Sequence, residues 1–263
     1  MYCAKKCHSK EHSIKNEKYC HCSGLCHSPL PAHLYPLTEN FPKPLLKVGS
    51  RSILERMIDD IDTISDIDEH LIVTNHKYAP MFEEWVASSH YQKPISIIDD
   101  GTTSNDNRLG AVRDLLLALE RHAVNDDIMV VAADNILSFS FQGFVDYFKK
   151  CQSSVIMCYH EPELRRLQRT GVISVDDQMR VLEMQEKPET PVSEWAVPPF
   201  YIYHRNDLPL IRDCMSHGCG FDAPGNLAHY LVDVTTIHAW PMPGTRYDIG
   251  SLDSYKEAQE LFG

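Results

Sequence analysis

Lys43 lies between two prolines, a local sequence that suits a lysine with a fixed task. Pro42 and Pro44 restrict the backbone on both sides and would hold the lysine side chain in one direction. A cation held in this way could bind an anionic group; the alternative is a solvated surface lysine. Lys47 has no comparable support and is predicted to lie on the surface.

Two aspartates are placed where they could hold a metal ion. Asp134 directly follows the apolar run 128–133, and α/β sheets bind ligands just beyond the carboxyl ends of their strands. Asp248 lies in a second short motif, Asp-Ile-Gly. Mg²⁺ prefers one or two carboxylates, with phosphate oxygens completing its shell. Asp134 could therefore bind Mg²⁺; the alternatives are helix capping for Asp134 and a turn for Asp248.

The elements that must position these residues alternate along the chain. Helical spacing is found at 53–64, 81–89, 111–122, 141–150, 208–215, 227–232 and 254–262. Extended runs are found at 70–75, 95–98, 128–133, 154–159, 171–175, 180–185, 196–203 and 236–240. Strands that alternate with helices indicate crossover units and a mostly parallel sheet, and the polar turn after residue 175 indicates a hairpin.

Composition and charge exclude several classes of protein. The 263-residue chain is 43% hydrophobic and 24% charged, which is ordinary for one globular α/β domain. Its net charge of −12 argues against a nucleic-acid polymer as partner, since phosphate contacts need a basic face. No run suits a membrane span, and the polar N-terminus lacks the apolar core of a signal peptide. We expect a cytoplasmic protein without a secreted disulfide framework.

Four short motifs occur in the order found in one enzyme family. They are Pro-Lys-Pro at 42–44, Ala-Asp-Asn at 133–135, Glu-Lys-Pro at 186–188 and Asp-Ile-Gly at 248–250. With them, most of the chain after residue 33 resembles the sugar-1-phosphate nucleotidylyltransferases, the NDP-sugar pyrophosphorylases, which include glucose-1-phosphate thymidylyltransferases. The resemblance implies an α/β fold: a Rossmann-like three-layer α/β/α nucleotidyltransferase domain with a mixed, mostly parallel central sheet.

The resemblance also implies a role for each motif residue. Lys43 would reach the substrate phosphates, and Asp134 and Asp248 would hold the catalytic Mg²⁺. Glu186 would bind the sugar hydroxyls and Lys187 the sugar phosphate, so that Lys43, Asp134 and Lys187 form the catalytic set. The match at Asp248 is partial, because the two residues before it replace a pair that often contains tryptophan. Read alone, Glu186 and Lys187 would be an ordinary exposed charge pair.

Four residues are predicted to shape substrate binding. Arg108 and Gly110 lie where the family places its base-reading helix entrance; helix N-termini attract anions, and Arg108 could pair with phosphate or with Asp106. Gly171 opens a strand, and its bare backbone would let a sugar ring lie against it. Pro199 stands where many relatives have a glycine and suggests a differently shaped sugar or polyol pocket. The alternative for Pro199 is a proline-stiffened strand without a ligand.

Residues 1–33 depart from the family. A glycine-rich phosphate loop should precede Leu34, but positions 26–33 read Cys-His-Ser-Pro-Leu-Pro-Ala-His. Prolines there remove N–H donors that phosphate needs. The cysteines and histidines of this segment could bind zinc, but their irregular spacing lacks two clean ligand pairs.

A reading-frame error explains the departure better. One choice of synonymous codons for residues 16–39 encodes, one base out of frame, M-K-N-I-V-I-A-A-G-Y-A-T-R-L-Y-P-L-T. That sequence supplies a start methionine, a buried strand, a glycine turn and a threonine–arginine pair. The same codons contain a tandem repeat whose length is not a multiple of three. We predict that residues 1–33 are a non-native or disordered frameshift product and that residues 34–263 form the nucleotidyltransferase domain.

The sequence thus predicts an enzyme that joins an NTP to a sugar-1-phosphate, or a similar phosphorylated alcohol, with release of pyrophosphate. Its partners would be these two substrates and Mg²⁺, with neither a nucleic-acid polymer nor a membrane, and a homo-oligomer stays open. Supply of polysaccharide precursors is the usual setting of the family. Because the phosphate loop is missing, we expect this chain to be impaired; the alternative is a catalytically inactive relative that binds sugar phosphate or nucleotide.

Overall fold

A computed structural model describes residues 34 and 36–263, apart from the Asn105 side chain. It also describes the backbone of residues 2–4. The helices are α1 (Ile53–Asp62), α2 (Ala79–Ser88), α3 (Ala111–Arg121), α4 (Gln142–Cys151), α5 (Leu164–Leu167), α6 (Leu210–Ser216), α7 (Gly225–Val234) and α8 (Leu252–Phe262). The strands are β1 (Tyr2–Ala4), β2 (Lys47–Val48), β3 (Arg51–Ser52), β4 (His70–Thr74), β5 (Ile95–Asp99), β6 (Ile128–Val131), β7 (Asn135–Leu137), β8 (Ser154–His160), β9 (Gly171–Val175), β10 (Val181–Glu186), β11 (Trp195–Val197), β12 (Phe200–Tyr203), β13 (Ile237–Pro241) and β14 (Arg246–Asp248).

The main sheet is mixed. Its strand order is β10-β9-β11-β8-β12-β6-β1-β4-β5, with β13 paired to β8. The pairs β4–β5 and β8–β13 are parallel. Strands β1, β10, β11 and β12 run antiparallel to their neighbours. The predicted Rossmann-like α/β fold with a mixed sheet is confirmed. The sheet was expected to be mostly parallel, but most neighbouring strands are antiparallel. The reason is that β1, β10, β11 and β12 each lie next to strands that run in the opposite direction.

Helices cover both faces of this sheet and give three layers. Side chains alternate between the faces along each strand, so that in β6 Val130 faces one core and Met129 and Val131 face the other. The first core is covered by α3, α6 and α7, and the second by α1, α2 and α4. The chain therefore positions its site residues on a sheet that is held rigidly from both sides.

The central position of the sheet is occupied by β1. Tyr2 pairs with Ile72 of β4 and with Val131 of β6, and Ala4 pairs with His70 of β4. Because β1 is antiparallel to both neighbours, the chain leaves β1 at the amino ends of β4 and β6. That edge is opposite the one where β6 leads into Asp134.

The structure corrects one predicted strand and adds short strands that the sequence did not suggest, among them β7 and β14. The predicted strand 196–203 is divided into β11 and β12, because Pro198 and Pro199 interrupt the ladder between them. The short strands β7 and β14 were not predicted, since three residues are too few for a periodic pattern.

Cysteines and membrane-spanning potential complete the description. Within the described residues, Cys214 and Cys219 form a local disulfide at the end of α6, whereas Cys151 and Cys158 are free thiols. The helices of this part of the chain are all too short or too polar to cross a membrane. The side chains of residues 1–33, including the cysteines considered as zinc ligands, lie outside the described part.

Candidate active site

Asp134 and Asp248 are brought together by two short strands. Strand β7 begins directly after Asp134, and β14 ends at Asp248, which pairs with Asn135 of β7. The N–H of Ile249 donates a hydrogen bond to the Asp134 carbonyl at 3.0 Å. Both aspartates therefore lie at the same edge of the molecule, beyond the carboxyl end of β6, although they are far apart in sequence.

Lys43 completes this cluster. It opens a short 3₁₀ turn between Pro42 and Pro44, and only 8% of its side chain is exposed. Its Nζ donates a hydrogen bond to Asp134 Oδ2 at 2.8 Å. Burial raises the pKa of Asp134, but the Lys43 ammonium outweighs burial and holds that pKa below its usual value. Asp134 is therefore ionised at neutral pH and available to a cation.

Arg246 links the two aspartates through Asn135. Its guanidinium donates to Asn135 Oδ1 at 2.6 Å and lies 3.5 Å from Asp248 Oδ2. The Asn135 amide in turn donates to Asp134 Oδ1 at 2.7 Å. Partial burial and the charge of Asp134 raise the pKa of Asp248, against the opposing effects of Arg246 and Lys43. This mutual effect is what two neighbouring carboxylates produce, and a bound cation would relieve it.

Glu186, Lys187 and Gly171 lie at one end of the β9–β10 hairpin. Gly171 pairs with Glu186, and Lys187 has a left-handed backbone with φ of 49°. Burial raises the pKa of Glu186, with Lys187 and His229 opposing the shift. The Lys187 Nζ lies 3.9 Å from Glu186 Oε1 on a side chain that is 60% exposed. The predicted acceptor-binding pair is thus placed with its lysine free to move toward a phosphate.

The reason for Gly171 differs from the one predicted. A Cβ atom at this position would lie 3.1 Å from Met184 Cε, 3.3 Å from Val197 Cβ and 3.4 Å from Glu186 Oε2. The side of Gly171 that a side chain would occupy is already filled by protein. Tight packing against the hairpin therefore accounts for glycine here without a sugar ring.

The predicted anion site at the start of α3 is largely used by the protein itself. Gly110 has a φ of 91°, and the N–H groups of Ala111 and Val112 donate to the carbonyls of Asp222 and Phe221 at 3.4 and 3.1 Å. The Arg108 guanidinium pairs with the Asp222 carboxylate. The alternative that Arg108 pairs with its neighbour Asp106 is thereby corrected, because Arg108 pairs with Asp222. The expectation of an anion at the start of α3 is corrected too, because the first amides of α3 bind the loop that carries Phe221 and Asp222.

A cleft of about 550 Å³ joins these parts. Among the predicted residues, Asp134, Pro199 and Asp248 line it. The others do not, namely Lys43, Arg108, Gly110, Gly171, Glu186 and Lys187. The Pro199 carbonyl accepts a hydrogen bond from the Ala132 N–H at 3.1 Å, which ties the proline segment to the approach of Asp134. Sequence reasoning missed other lining residues, namely Tyr159, Glu161, Arg166, Arg169, Asp222 and Arg246. Only Arg246 carried a signal, because it stands two residues before the Asp-Ile-Gly motif.

The donor set fits a hard cation that takes most of its ligands from a substrate. No group of three or more His, Cys, Asp or Glu side chains that could hold a metal occurs in the described part of the chain. The pair Asp134 and Asp248 suits Mg²⁺, which usually keeps several waters and binds through one or two carboxylates plus phosphate oxygens.

Comparison with known proteins gives one consistent result. The family model described as nucleotidyl transferase matches residues 32–262. The chain is 24% identical to a UTP–glucose-1-phosphate uridylyltransferase of Haloferax volcanii, over 86% of this chain and 90% of that protein. It is 29% identical to a glucose-1-phosphate adenylyltransferase of Fervidobacterium nodosum, over 49% of this chain, and this match spans only 32% of the relative's length.

The fold is also shared with solved structures. A UDP-glucose pyrophosphorylase complexed with UDP-glucose superposes with a TM-score of 0.72 at 19% identity, covering 87% of this chain and 92% of the other. At this identity the likeness establishes a common fold. The chemistry is therefore inferred from the geometry of Lys43, Asp134 and Asp248.

Proposed function

Because this chain belongs to the nucleotidyl transferase family, we propose that it descends from an enzyme that joins an NTP to a sugar-1-phosphate and releases pyrophosphate. The single observation that carries the proposal is the Lys43–Asp134 pair beside Asp248, on one edge of a cleft. The relatives named for glucose-1-phosphate uridylyl and adenylyl transfer support the same reaction.

The reaction needs positioning and charge neutralisation more than covalent chemistry. An oxygen of the sugar phosphate attacks the α-phosphorus of the NTP, a new P–O bond forms, and the bond to the β-phosphate oxygen breaks as pyrophosphate leaves. Lys43 would neutralise phosphate charge, and its prolines hold it in place for that task. Asp134 and Asp248 would hold Mg²⁺, which when bound neutralises charge that develops on the transferring phosphoryl group.

The other end of the cleft would hold the acceptor. Glu186 and Lys187 end the β9–β10 hairpin, and Pro199 narrows the cleft where β12 begins. We propose that Glu186 binds hydroxyls of the acceptor and that Lys187 swings to its phosphate. We place the reaction in the cytoplasm, where NTPs are made, as a supply of NDP-sugar for polysaccharide precursors.

A second candidate, an inactive relative, is favoured by the N-terminal strand. The motif predicted to follow the first strand is absent, and β1 runs so that the chain leaves it at the edge opposite Asp134. We therefore propose that residues 1–33 are not native and that the chain as written is impaired while its acceptor side is intact.

The test compares two chains. The first is the chain as written, and the second carries M-K-N-I-V-I-A-A-G-Y-A-T-R in place of residues 1–33. Pyrophosphate release is measured with Mg²⁺ and a panel of NTPs and sugar-1-phosphates. We expect turnover by the restored chain and none by the chain as written. If the restored chain released no pyrophosphate with any pair, the transferase proposal would be rejected; equal turnover by both chains would reject the proposed impairment.

A further inference from the structure

One end of the cleft carries two arginines, and only one of them pairs with the glutamates beside it. This end lies between the last residues of β8 and the start of β9. The residues that line the cleft there are Tyr159, Glu161, Arg166, Arg169 and Thr170. Two of the five are arginines, in a chain whose net charge is −12. An arginine at a cleft wall that is not used by a neighbouring carboxylate can bind an anionic group of a ligand.

Arg166 is already paired. Its Nε lies 2.8 Å from Glu163 Oε2, and its Nη1 lies 3.6 Å from Glu161 Oε2. Glu161 is itself only 6% exposed, and its N–H donates to the Glu194 carbonyl at 2.9 Å. Arg166 is therefore neutralised by the protein and held in one place.

Arg169 has no such partner. Its N–H donates to the Arg166 carbonyl at 3.0 Å, which fixes its backbone at the end of α5. Its guanidinium makes no ion pair with a carboxylate of the described residues, yet the side chain lines the cleft. Because an arginine is charged at any relevant pH, this cation is available to an anion that enters the cleft.

The position of Arg169 ties it to the acceptor and not to the nucleotide. The next residue, Thr170, accepts the Lys187 N–H through its carbonyl at 3.1 Å and donates its hydroxyl to the Val197 carbonyl at 2.9 Å. Gly171 then pairs with Glu186. Arg169 thus belongs to the segment that holds the proposed acceptor residues, whereas Lys43 approaches from a different part of the chain.

We propose that the phosphorylated acceptor carries a second anionic group, a carboxylate or another phosphate, and that Arg169 binds it. The inference rests on the proposed function and narrows its substrate class. A guanidinium presents two parallel N–H donors that match the oxygens of either group, so the shared chemistry is bidentate binding of an oxyanion. Arg166 acts as a positioning residue, because its glutamate pairs fix the turn that carries Arg169.

The test measures acceptor binding to the full chain by titration calorimetry at constant ionic strength. The residues proposed to bind the acceptor lie between 159 and 199, so the test uses the chain as written. The ligands are glucose-1-phosphate, glucuronic acid 1-phosphate and glucose 1,6-bisphosphate. We expect one of the two doubly anionic ligands to bind about tenfold tighter than glucose-1-phosphate or better, since a charge-assisted hydrogen-bonded pair has that strength. The tighter ligand identifies the second group as carboxylate or phosphate.

Two variants give the test its specificity. Arg169→Gln should abolish the preference, because it should weaken the binding of the doubly anionic ligand far more than the binding of glucose-1-phosphate. Arg165→Gln is the matched control, because Arg165 is an exposed arginine of α5 that does not line the cleft, and it should keep the preference. Equal binding of the three ligands, or equal weakening of all three by Arg169→Gln, would overturn the inference and leave the proposed function standing. If no ligand bound, the proposed acceptor site itself would be rejected.

Discussion

A lysine and two aspartates determine what this site can do. The Lys43 ammonium keeps Asp134 ionised in spite of its burial, and the charge of Asp134 in turn raises the pKa of Asp248. The positive charge of Lys43 thus neutralises only part of the negative charge of the two aspartates. A divalent cation with phosphate ligands would neutralise the rest. A site built this way is suited to polyanionic substrates.

The first prediction concerns the two aspartates. In the restored chain, Asp134→Asn and Asp248→Asn should each lower turnover about 100-fold or more, because each removes charge that holds Mg²⁺ and phosphate in place. The matched control is Asp253→Asn, which changes an exposed aspartate in the first turn of α8. Turnover is measured by pyrophosphate release, and folding by far-ultraviolet circular dichroism. Retained Mg²⁺-dependent turnover in either variant would remove that residue from the metal site.

The second prediction concerns Glu186. Its pKa is raised by burial, so ionised Glu186 destabilises the fold at pH values above the ordinary glutamate pKa of about 4.3. The stabilising contribution of protonated Glu186 is fully present below that value. It is lost as the pH rises through the raised pKa of Glu186 in the folded protein. Glu186→Gln should therefore raise the melting temperature at pH 7 and make little difference at pH 4, while it weakens acceptor binding.

Thermal melts of both proteins between pH 4 and 8 check this sign. Glu183→Gln is the matched control, because Glu183 lies on the same strand and is exposed. A stabilisation by Glu186→Gln that did not change with pH would show that ionisation of Glu186 is not its cause.

At the scale of elements, one cleft wall is built by a loop that packs on a helix start. The segment between α6 and α7 binds the first amides of α3 through Phe221 and Asp222, and the Arg113 guanidinium lies 4.0 Å from the centre of the Phe221 ring. Asp222 also pairs with Arg108. The helix entrance thus shapes the cleft by supporting this loop.

The third prediction separates strain from steric contact at this entrance. Gly110 and Gly101 both have a positive φ, of 91° and 78°. A Cβ at Gly110 would lie 2.6 Å from the Phe221 carbonyl oxygen, whereas nothing lies within 4 Å at Gly101. Gly101→Ala should cost about 1 kcal/mol of unfolding free energy for φ alone, and Gly110→Ala about 1–3 kcal/mol more for the clash. Urea unfolding measures both; equal costs would show that the loop can move away.

At the scale of the whole molecule, both cores depend on one sheet with an unusual centre. Helices pack on both faces, yet the strand between β4 and β6 has only three residues and runs antiparallel to both. A strand of three residues can pair with only a few backbone groups of β4 and β6. We therefore expect the N-terminal sequence to affect the stability of the fold.

The fourth prediction follows from this centre. Replacing residues 1–33 by M-K-N-I-V-I-A-A-G-Y-A-T-R supplies a longer apolar strand for the position between β4 and β6. The melting temperature should rise by several degrees, which corresponds to about 1–3 kcal/mol in a protein of this size. Circular dichroism melts of the two chains give the comparison. A chain as written that melted at the same or a higher temperature would indicate that its own N-terminus serves the sheet equally well.

The sequence by itself determined the α/β class, most helices and strands and the order of the motif residues. Apolar periodicity depends only on which face each residue buries, so long elements such as α1 and α3 were predictable. The pairing of β7 with β14, which places Asp134 beside Asp248, was decided by tertiary structure, because three-residue strands carry no periodic signal. The same holds for Arg169, whose place in the cleft, without a carboxylate partner among the described residues, depends on contacts among β8, β9 and α5. Charge balance in a cleft is a property of residues brought together by folding, and no local pattern contains it.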